Sequence, residues 1–274
     1  MKKVMLWIGA VLLTLASVYY TRVTGPTKPV RGSVEFAGET INYRLIRTFP
    51  MPFNAPIRVN VQNPEVTGYY RYKRTPSHDD WTYADMVRND DGQLVASLPR
   101  LAAGGKTAYQ ITLVKGNEEL ALTENPIVLR FRDQVPAWAM IPHILLMFIA
   151  IFFSIRAGVG ALFKENPMKL TIATLIALIA GGLIFGPIVQ KYAFGDFWTG
   201  FPFGHDLTDN KTLVMFIFWL FAFIKLKRNP ENRKWVIVAA VVTIIAYIIP
   251  HSVLGTEIDF TQEPAKQAIG WFRG

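Results

Sequence analysis

The sequence predicts a mixed fold, in which a five-span α-helical membrane protein carries an all-β domain inserted after its first span. Apolar residues make up 51% of the chain, and they are grouped in long stretches instead of recurring at a helical or strand period. The residues between the first and second stretches form short strand-like runs that turn residues separate. These two observations predict the fold class.

Five apolar stretches predict the membrane spans. Each is near or just under the roughly 20 residues that a helix needs to cross the hydrocarbon core. The stretches are residues 4–20, 135–155, 170–189, 212–226 and 235–253. The fourth is the shortest, but Lys211 and Lys225 at its ends can bury their apolar stems and extend their ammonium groups to the two interfaces.

The net charge of +9 is distributed unevenly over the connections between these stretches. Basic residues are concentrated in two short connections, with Arg156, Lys164 and Lys169 around the first, and Lys225, Lys227, Arg228, Arg233 and Lys234 around the second. Short loops rich in Lys and Arg stay in the cytoplasm. We therefore predict a protein of the bacterial inner membrane, surrounded by lipid, with a cytoplasmic N-terminus. Residues 21–134 and the C-terminal tail are then outside, and this placement of charge argues against a nucleic-acid partner.

Residues 1–22 predict a signal-anchor transmembrane helix. Two lysines precede the first apolar stretch, a pattern that also describes a cleavable export signal. Residues 15–17 suggest a cleavage site, but the bulky residues at 18–20 follow directly. We therefore expect a retained anchor. The chain has no cysteine, so the exported part is predicted to lack disulfides.

Residues 30–133 predict one extracytoplasmic all-β domain. Short runs rich in β-branched and aromatic residues recur at 57–61, 68–74, 94–98, 108–114 and 127–131. Turn-forming residues, such as those at 90–92 and 104–105, lie between these runs. After this domain, the sequence predicts a four-helix transmembrane domain at 135–255 and an extracytoplasmic C-terminal tail at 256–274.

The β region resembles the fibronectin type III fold, one of the immunoglobulin-like β-sandwiches. The residues behind the resemblance are the tyrosine-rich strand 69–73, Trp81-Thr82 at the start of the next strand, and Leu98-Pro99-x-Leu101 followed by Gly105 and Tyr109. The resemblance implies two packed sheets, with Tyr109 as the tyrosine of a sandwich corner. It names no function, because sandwiches of this kind serve many functions. The membrane part resembles no family.

Three histidines map to one predicted membrane face. His143 lies in the second apolar stretch, His205 between the third and fourth stretches, and His251 at the outer end of the fifth. The same face carries Asp196, Asp206, Asp209, Glu257 and Asp259. Ionisable groups in or beside a membrane are costly to keep, and they are therefore candidate functional residues. A proline precedes both His143 and His251, and can open the helix backbone beside each.

Several chemistries fit these residues. Three imidazoles with Asp206 or Asp209 would bind zinc or copper, whereas two imidazoles would hold haem b between helices. The oxygen-rich run at 206–210 would suit calcium. Alternatively, each histidine is a separately satisfied interface residue, and Thr208, Asp209 or Asn210 caps the fourth membrane helix. The sequence has no specific metal motif that decides among these alternatives.

The expected function is that of a non-catalytic membrane subunit of a bacterial envelope complex, either respiratory or metal-handling. The link between the β domain and the second stretch, at 135–138, is very short. It favours a domain that stays near the bilayer and docks an exported protein partner. A transition metal or haem at the outer-face cluster would be the cofactor. The alternative is a membrane metalloenzyme whose metal is held by His143, His205 and His251.

Overall fold

A computed structural model of the chain describes residues 2–250, 255 and 257–263. The chain divides into two compact units. The helical unit comprises Met1–Pro26 and Val135–Thr256, and the β unit comprises Thr27–Gln134 and Glu257–Gly274. The sequence assigned residues 256–274 to a separate tail, whereas the part of this tail that the structure describes groups with the β unit.

The helical unit is built from apolar helices. Its helices are α1 (Lys2–Thr24), α2 (Ala137–Leu162), α3 (Met168–Ala177), a π-helix (Leu178–Phe185), α4 (Gly186–Phe194), α5 (Leu207–Arg228) and α6 (Lys234–Ile248). Because α3, the π-helix and α4 follow one another without a break, they form one continuous helix, Met168–Phe194. Four stretches, namely α1, α2, this continuous helix and α5, are long and apolar enough to cross a membrane.

The last helix is shorter than the sequence predicts. α6 has 15 residues and ends at Ile248, whereas the apolar stretch runs on to residue 253. Pro250 explains this end, because a residue that precedes a proline avoids the helical conformation. Ile249 is accordingly extended, with a ψ of 114°. Residues 251–253 lie outside the part of the chain that the structure describes.

Two glycines of the π-helix let its neighbours approach closely. A Cβ added at Gly181 would lie 2.7 Å from the Cβ of Leu146 in α2, and one added at Gly182 would lie 2.7 Å from the Cγ2 of Thr212 in α5. Carbon atoms in contact are normally about 3.5–4.0 Å apart. The glycine pair therefore serves the packing of the third apolar helix between two others.

Trp219 of α5 is the largest fully buried side chain of the helical core. Its Nε1 donates a hydrogen bond to the Oγ1 of Thr243 in α6 at 2.8 Å. The Thr243 hydroxyl in turn donates to the carbonyl of Ala239 at 2.9 Å. The polar atom of the indole is thus satisfied within the apolar core, as a buried tryptophan requires.

Two β-sheets form the β unit. Its strands are β1 (Val30–Phe36), β2 (Glu39–Leu45), β3 (Thr48–Pro50), β4 (Ala55–Asn60), β5 (Thr67–Arg74), β6 (Thr82–Asp85), β7 (Val87–Arg88), β8 (Gln93–Leu98), β9 (Lys106–Lys115), β10 (Glu118–Ala121) and β11 (Ile127–Arg132). One sheet has the order β1-β2-β4-β8-β7, and the other has the order β3-β11-β9-β5-β6, with β10 also paired to β9. The strand pairs are antiparallel except for β3 with β11.

The two sheets contribute to one hydrophobic core. Along β4, Ala55, Ile57 and Val59 are buried and the residues between them are exposed, which is the alternation of a strand with one face in a core. A single cluster of buried side chains contains residues of both sheets, such as Leu94 of β8 and Leu113 of β9. The mixed class that the sequence predicts is confirmed.

Tyr109 of β9 is fully buried, but its hydrogen bond differs from the one that the resemblance implies. Its hydroxyl donates to the carbonyl of Ile46 at 2.7 Å. Ile46 lies where the chain leaves β2 in one sheet for β3 in the other. A corner tyrosine bonds a carbonyl a few residues upstream, whereas Tyr109 bonds one 63 positions away and fixes the crossover between the sheets. Burial raises the pKa of this hydroxyl above its ordinary value.

Substitution of Tyr109 by phenylalanine is expected to lower the free energy of unfolding of the β unit by about 1 kcal/mol, because the Ile46 carbonyl loses its donor while the ring remains. The measurement is urea unfolding of residues 28–134 expressed alone, which we expect to fold cooperatively with a β-rich circular dichroism spectrum. Tyr83→Phe is the control, because the Tyr83 side chain is 59% exposed. An unchanged midpoint for Tyr109→Phe would show that this bond adds no stability.

Candidate functional site

The connection between α4 and α5, residues 195–206, is a compact loop. α4 ends at Phe194, and the next residue, Gly195, has a φ of 96° that glycine readily adopts. The amides of Phe203 and Gly204 both donate to the carbonyl of Gly200 at 2.9 Å. The amide of Asp206 donates to the carbonyl of Thr199 at 3.0 Å. The loop therefore satisfies part of its own backbone, and acidic side chains from its end and from α5 complete the arrangement.

Asp206 caps α5. Its Oδ1 accepts hydrogen bonds from the amides of Thr208 at 2.7 Å and of Asp209 at 3.4 Å. The sequence assigned this cap to Thr208, Asp209 or Asn210, which is wrong because α5 begins at Leu207, earlier than the predicted span. A carboxylate is favoured at this position by the free amides of the first turn and by the helix dipole.

Asp209 holds the loop against α5. Its Oδ2 accepts hydrogen bonds from the amides of Thr199 at 2.7 Å and of Gly200 at 3.0 Å. The loop approaches so closely that a Cβ at Gly200 would lie 2.6 Å from the Cβ of Asp209. The neighbouring Asn210 accepts from the amide of Phe201 at 2.6 Å. Asp206 and Asp209, both predicted as metal ligands, thus have structural roles as hydrogen-bond acceptors.

His143 of α2 is bonded to the π-helix. Its Nδ1 donates to the carbonyl of Gly181 at 2.8 Å. In a π-helix the backbone hydrogen bonds join residues five apart instead of four. Some carbonyls then lose their usual amide donor, and a side chain can donate to them instead. A Cβ at Gly186, one residue beyond the π-helix, would lie 3.7 Å from the Cε1 of the imidazole. One nitrogen of His143 is therefore committed to the backbone.

The three-histidine site is not assembled within the residues that the structure describes. Among them, no group of three or more His, Asp or Glu side chains is placed to hold a metal ion. His205 is exposed in the loop beside Asp206. His251 lies outside the described residues. The shared site therefore stays a prediction, and the contacts of His143, Asp206 and Asp209 do not require it.

His143→Ala is expected to leave the metal and haem content of the purified protein at the wild-type level. It should lower the free energy of unfolding by about 2 kcal/mol, because the Gly181 carbonyl loses a partly buried donor and a gap is left. Metal analysis, an optical spectrum and thermal unfolding in detergent measure these effects. His205→Ala, at an exposed position, should change neither quantity. Metal or haem that disappears in both variants would instead indicate one shared site.

The same loop carries exposed aromatic side chains. Phe197, Phe201 and Phe203 are 57%, 68% and 82% exposed. Nearby, the rings of Trp138 and Tyr192 meet edge to face with centroids 5.9 Å apart. Aromatic residues are enriched where a membrane meets water. This part of the loop therefore fits a location where a membrane meets water.

A second site, on the β unit, was not predicted. It is centred on Arg74 at the end of β5, whose side chain is only 8% exposed. The Nε and Nη2 of Arg74 donate to the two carboxylate oxygens of Asp79 at 2.6 and 2.9 Å. Its Nη1 donates to Glu263, and its guanidinium lies 4.6 Å from the ring centroid of Phe260. The bond to Asp79 raises the pKa of Arg74, so the guanidinium stays charged.

The remaining contacts of this site hold the segment 257–263. The ammonium of Lys106, at the start of β9, pairs with Glu257. The amide of Ile258 donates to the carbonyl of Gly104 at 3.4 Å, and that of Phe260 donates to the carbonyl of Pro76 at 3.1 Å. The segment therefore lies beside the end of β5 and the start of β9, held at both ends by ion pairs and at its centre by a buried ring.

Two carboxylates that the sequence placed on the same membrane face as the histidines belong to this segment. Glu257 pairs with Lys106. Asp259 accepts hydrogen bonds from the hydroxyl of Thr261 at 2.6 Å and from its amide at 2.9 Å, which lower the pKa of Asp259. The sequence feature that could have indicated this segment is Phe260, which has one glutamate three residues before it and another three residues after it.

Comparison with protein-family models, with curated proteins and with solved structures found no match. The class of protein is therefore defined by the fold and the sites alone. It is a two-unit protein whose four long apolar helices fit a membrane, and whose β unit binds a segment from the far end of its own chain.

Proposed function

We propose that this chain is a non-catalytic, five-span subunit of a complex in the bacterial inner membrane, and that its β unit lies outside the cytoplasm and docks an exported protein partner. The observation that carries the proposal is the segment 257–263 on the β unit. A buried arginine, a lysine and two backbone carbonyls hold this segment. A surface that holds one peptide segment through these groups has the chemistry to bind another.

The same contact supports five spans. The segment 257–263 packs on residues 27–134, so both lie on one side of the membrane. The chain must then cross the membrane an even number of times between residues 134 and 257. Three long apolar helices in that interval, namely α2, Met168–Phe194 and α5, give an odd number. We therefore take α6 as the fourth crossing, and α1 brings the total to five.

α6 is short for a span, but its surroundings suit one. Its 15 residues extend about 22 Å, and a short span can be accommodated by local thinning of the bilayer and by flanking residues that reach the interface. Lys234 and Trp235 lie at its start, where both residue types are common at a membrane surface. At its other end, the Nζ of Lys211 donates to the carbonyl of Ile249 at 2.7 Å.

We also propose that the β unit is an immunoglobulin-like sandwich. The order β2-β4-β8-β7 corresponds to strands A, B, E and D of that fold, and the order β11-β9-β5-β6 corresponds to strands G, F, C and C′. β1 is an additional strand at the edge of the first sheet. β3 pairs in parallel with β11, so the chain moves from the first sheet to the second after β2.

The sequence suggested a zinc or copper ion held by His143, His205 and His251, or haem b held by two of these histidines. In the described part of the chain, Asp206 and Asp209 accept hydrogen bonds from backbone amides, and these bonds give the two carboxylates a role that needs no cofactor. For this reason we prefer a docking subunit to a membrane metalloenzyme. The His143→Ala experiment decides between them.

The topology gives a direct test. A reporter enzyme that is active only outside the cytoplasm is expected to work when fused after Gly274 and to fail when fused after Glu231. The reason is the concentration of Lys and Arg around 225–234, which holds that connection in the cytoplasm. Activity in the opposite pattern would contradict the orientation. Activity at neither point would contradict the even number of crossings after residue 134.

Docking is tested by photo-crosslinking in living cells. A photoreactive amino acid replaces His78, which is exposed in the turn beside Asp259, or Asn117, which is exposed beyond the other end of β9. We expect an exported protein to be crosslinked from position 78 and not from position 117. Crosslinks to cytoplasmic proteins alone, or equal crosslinks from both positions, would overturn the proposed function.

A further inference from the structure

The site around Arg74 is complete without the segment that fills it. Asp79 lies five residues after Arg74 and binds two of its nitrogens, and the side chains are only 8% and 6% exposed. This pair fixes the guanidinium from within the β unit. It leaves Nη1 for the carboxylate of Glu263 and one guanidinium face for the ring of Phe260. The arginine is thus oriented in advance for an aromatic ring beside an acidic group.

The segment itself is held only weakly. Of residues 257–263, Phe260 is buried, whereas the side chains of Glu257 and Glu263 are 42% and 50% exposed. The carboxylate of each ion pair reaches solvent, so water and salt weaken both pairs. Two backbone hydrogen bonds join the segment to the β unit. The segment can therefore leave without breaking the Arg74–Asp79 pair or any strand pairing.

We propose that the segment 257–263 is a built-in competitor, which occupies the site where the β unit binds an acidic, aromatic segment of its exported partner. This inference rests on the proposed docking function and specifies its site and its ligand. The ligand is a peptide with an aromatic residue and a carboxylate three positions to each side of it, because Lys106, the face of Arg74 and the Nη1 of Arg74 lie at the matching places. The partner binds when the tail of the chain has left the site.

The experiment uses the full chain in detergent and a fluorescent synthetic peptide with the sequence of residues 256–264. The tail-released variant combines Glu257→Gln, Phe260→Ala and Glu263→Gln, which change the segment and leave the β unit intact. Because a tethered segment competes at an effective concentration of order mM, we expect the released variant to bind the peptide at least about tenfold more tightly than the wild type. A peptide with alanine in place of the phenylalanine should not bind.

A matched pair of lysines tests the site. In the tail-released variant, Lys106→Ala should weaken peptide binding several-fold, because Lys106 pairs with Glu257. Lys115→Ala should not, because Lys115 lies at the other end of β9 and pairs with Glu65 at 3.2 Å. Circular dichroism verifies that both variants are folded. Equal losses in the two variants would overturn the assigned site.

Three further outcomes would also overturn the inference. The first is a tail-released variant that does not bind the peptide. The second is equal binding by the wild type and the released variant, which would mean that the tail does not compete. The third is a wild-type dimer that the tail substitutions dissociate, which would assign the site to a second copy of the chain. Peptide binding without any partner crosslinked at position 78 would leave the site intact and contradict only the proposed docking function.

Discussion

Asp209→Ala is expected to destabilise the helical unit by about 3 kcal/mol. The Oδ2 of Asp209 is the acceptor for the amides of Thr199 and Gly200, and Gly200 is buried. Each buried amide that loses its acceptor costs about 1–3 kcal/mol. Thermal unfolding in detergent should show a lower midpoint, and hydrogen exchange should be faster at both amides.

The Asp209→Asn variant distinguishes the loss of a hydrogen-bond acceptor from the loss of a negative charge. The asparagine side chain has nearly the shape of aspartate and keeps one oxygen that can accept from both amides. We therefore expect less than about one third of the alanine effect. If the asparagine variant were as unstable as the alanine variant, the charge of Asp209 would matter more than its geometry. A cation beside the loop would then become the better explanation.

Arg74→Ala is expected to lower the free energy of unfolding of the β unit by about 3–5 kcal/mol. The substitution removes two hydrogen bonds from the carboxylate of Asp79, whose side chain is 6% exposed. Removal of one partner of a buried ion pair is costly because the other charge stays buried. Urea unfolding of the full chain, followed through the β-sheet signal in circular dichroism, measures the loss.

Arg71→Ala is the matched control for Arg74. Arg71 lies on the same strand, its side chain is half-buried, and it donates to the Oε1 of Gln110 at 2.6 and 3.0 Å. Its guanidinium lies 4.7 Å from the ring centroid of Trp81. No buried carboxylate depends on it in these contacts, so we expect a loss below about 1 kcal/mol. Equal losses for the two arginines would show that the Arg74–Asp79 pair has no special importance.

The apolar helices could be predicted from the sequence because length and composition alone indicate a span. The stretch at 170–189 lies within the continuous helix Met168–Phe194. The π-helix inside it could not be predicted, because its residues are uniformly apolar and show no period that separates it from α-helix. Pro250 could have predicted the end of α6. The apolar residues continue past this proline, however, and they suggested a longer span.

The candidate sites show why residue type alone misleads. Asp206 and Asp209 were predicted as ligands because they lie near histidines. Asp206 instead accepts hydrogen bonds from two amides in the first turn of α5, and Asp209 accepts from two amides that only the folded loop brings to it. The site on the β unit joins residues that are 189 positions apart for Arg74 and Glu263, and 151 apart for Lys106 and Glu257. Pairs so distant leave no pattern in a single sequence.

The π-helix sets the rotational phase of everything that follows it in the third apolar helix. A π-helix bonds residues five apart instead of four, so each of its residues turns the chain through a smaller angle than the roughly 100° of an α-helix. If residues 178–185 formed an α-helix instead, α4 would be turned about its axis. Gln190, whose Nε2 donates to the Oγ1 of Thr199 at 2.6 Å, would then face away from the loop. The winding of this segment is therefore as constrained as the identity of its residues, because it decides whether Gln190 faces the loop.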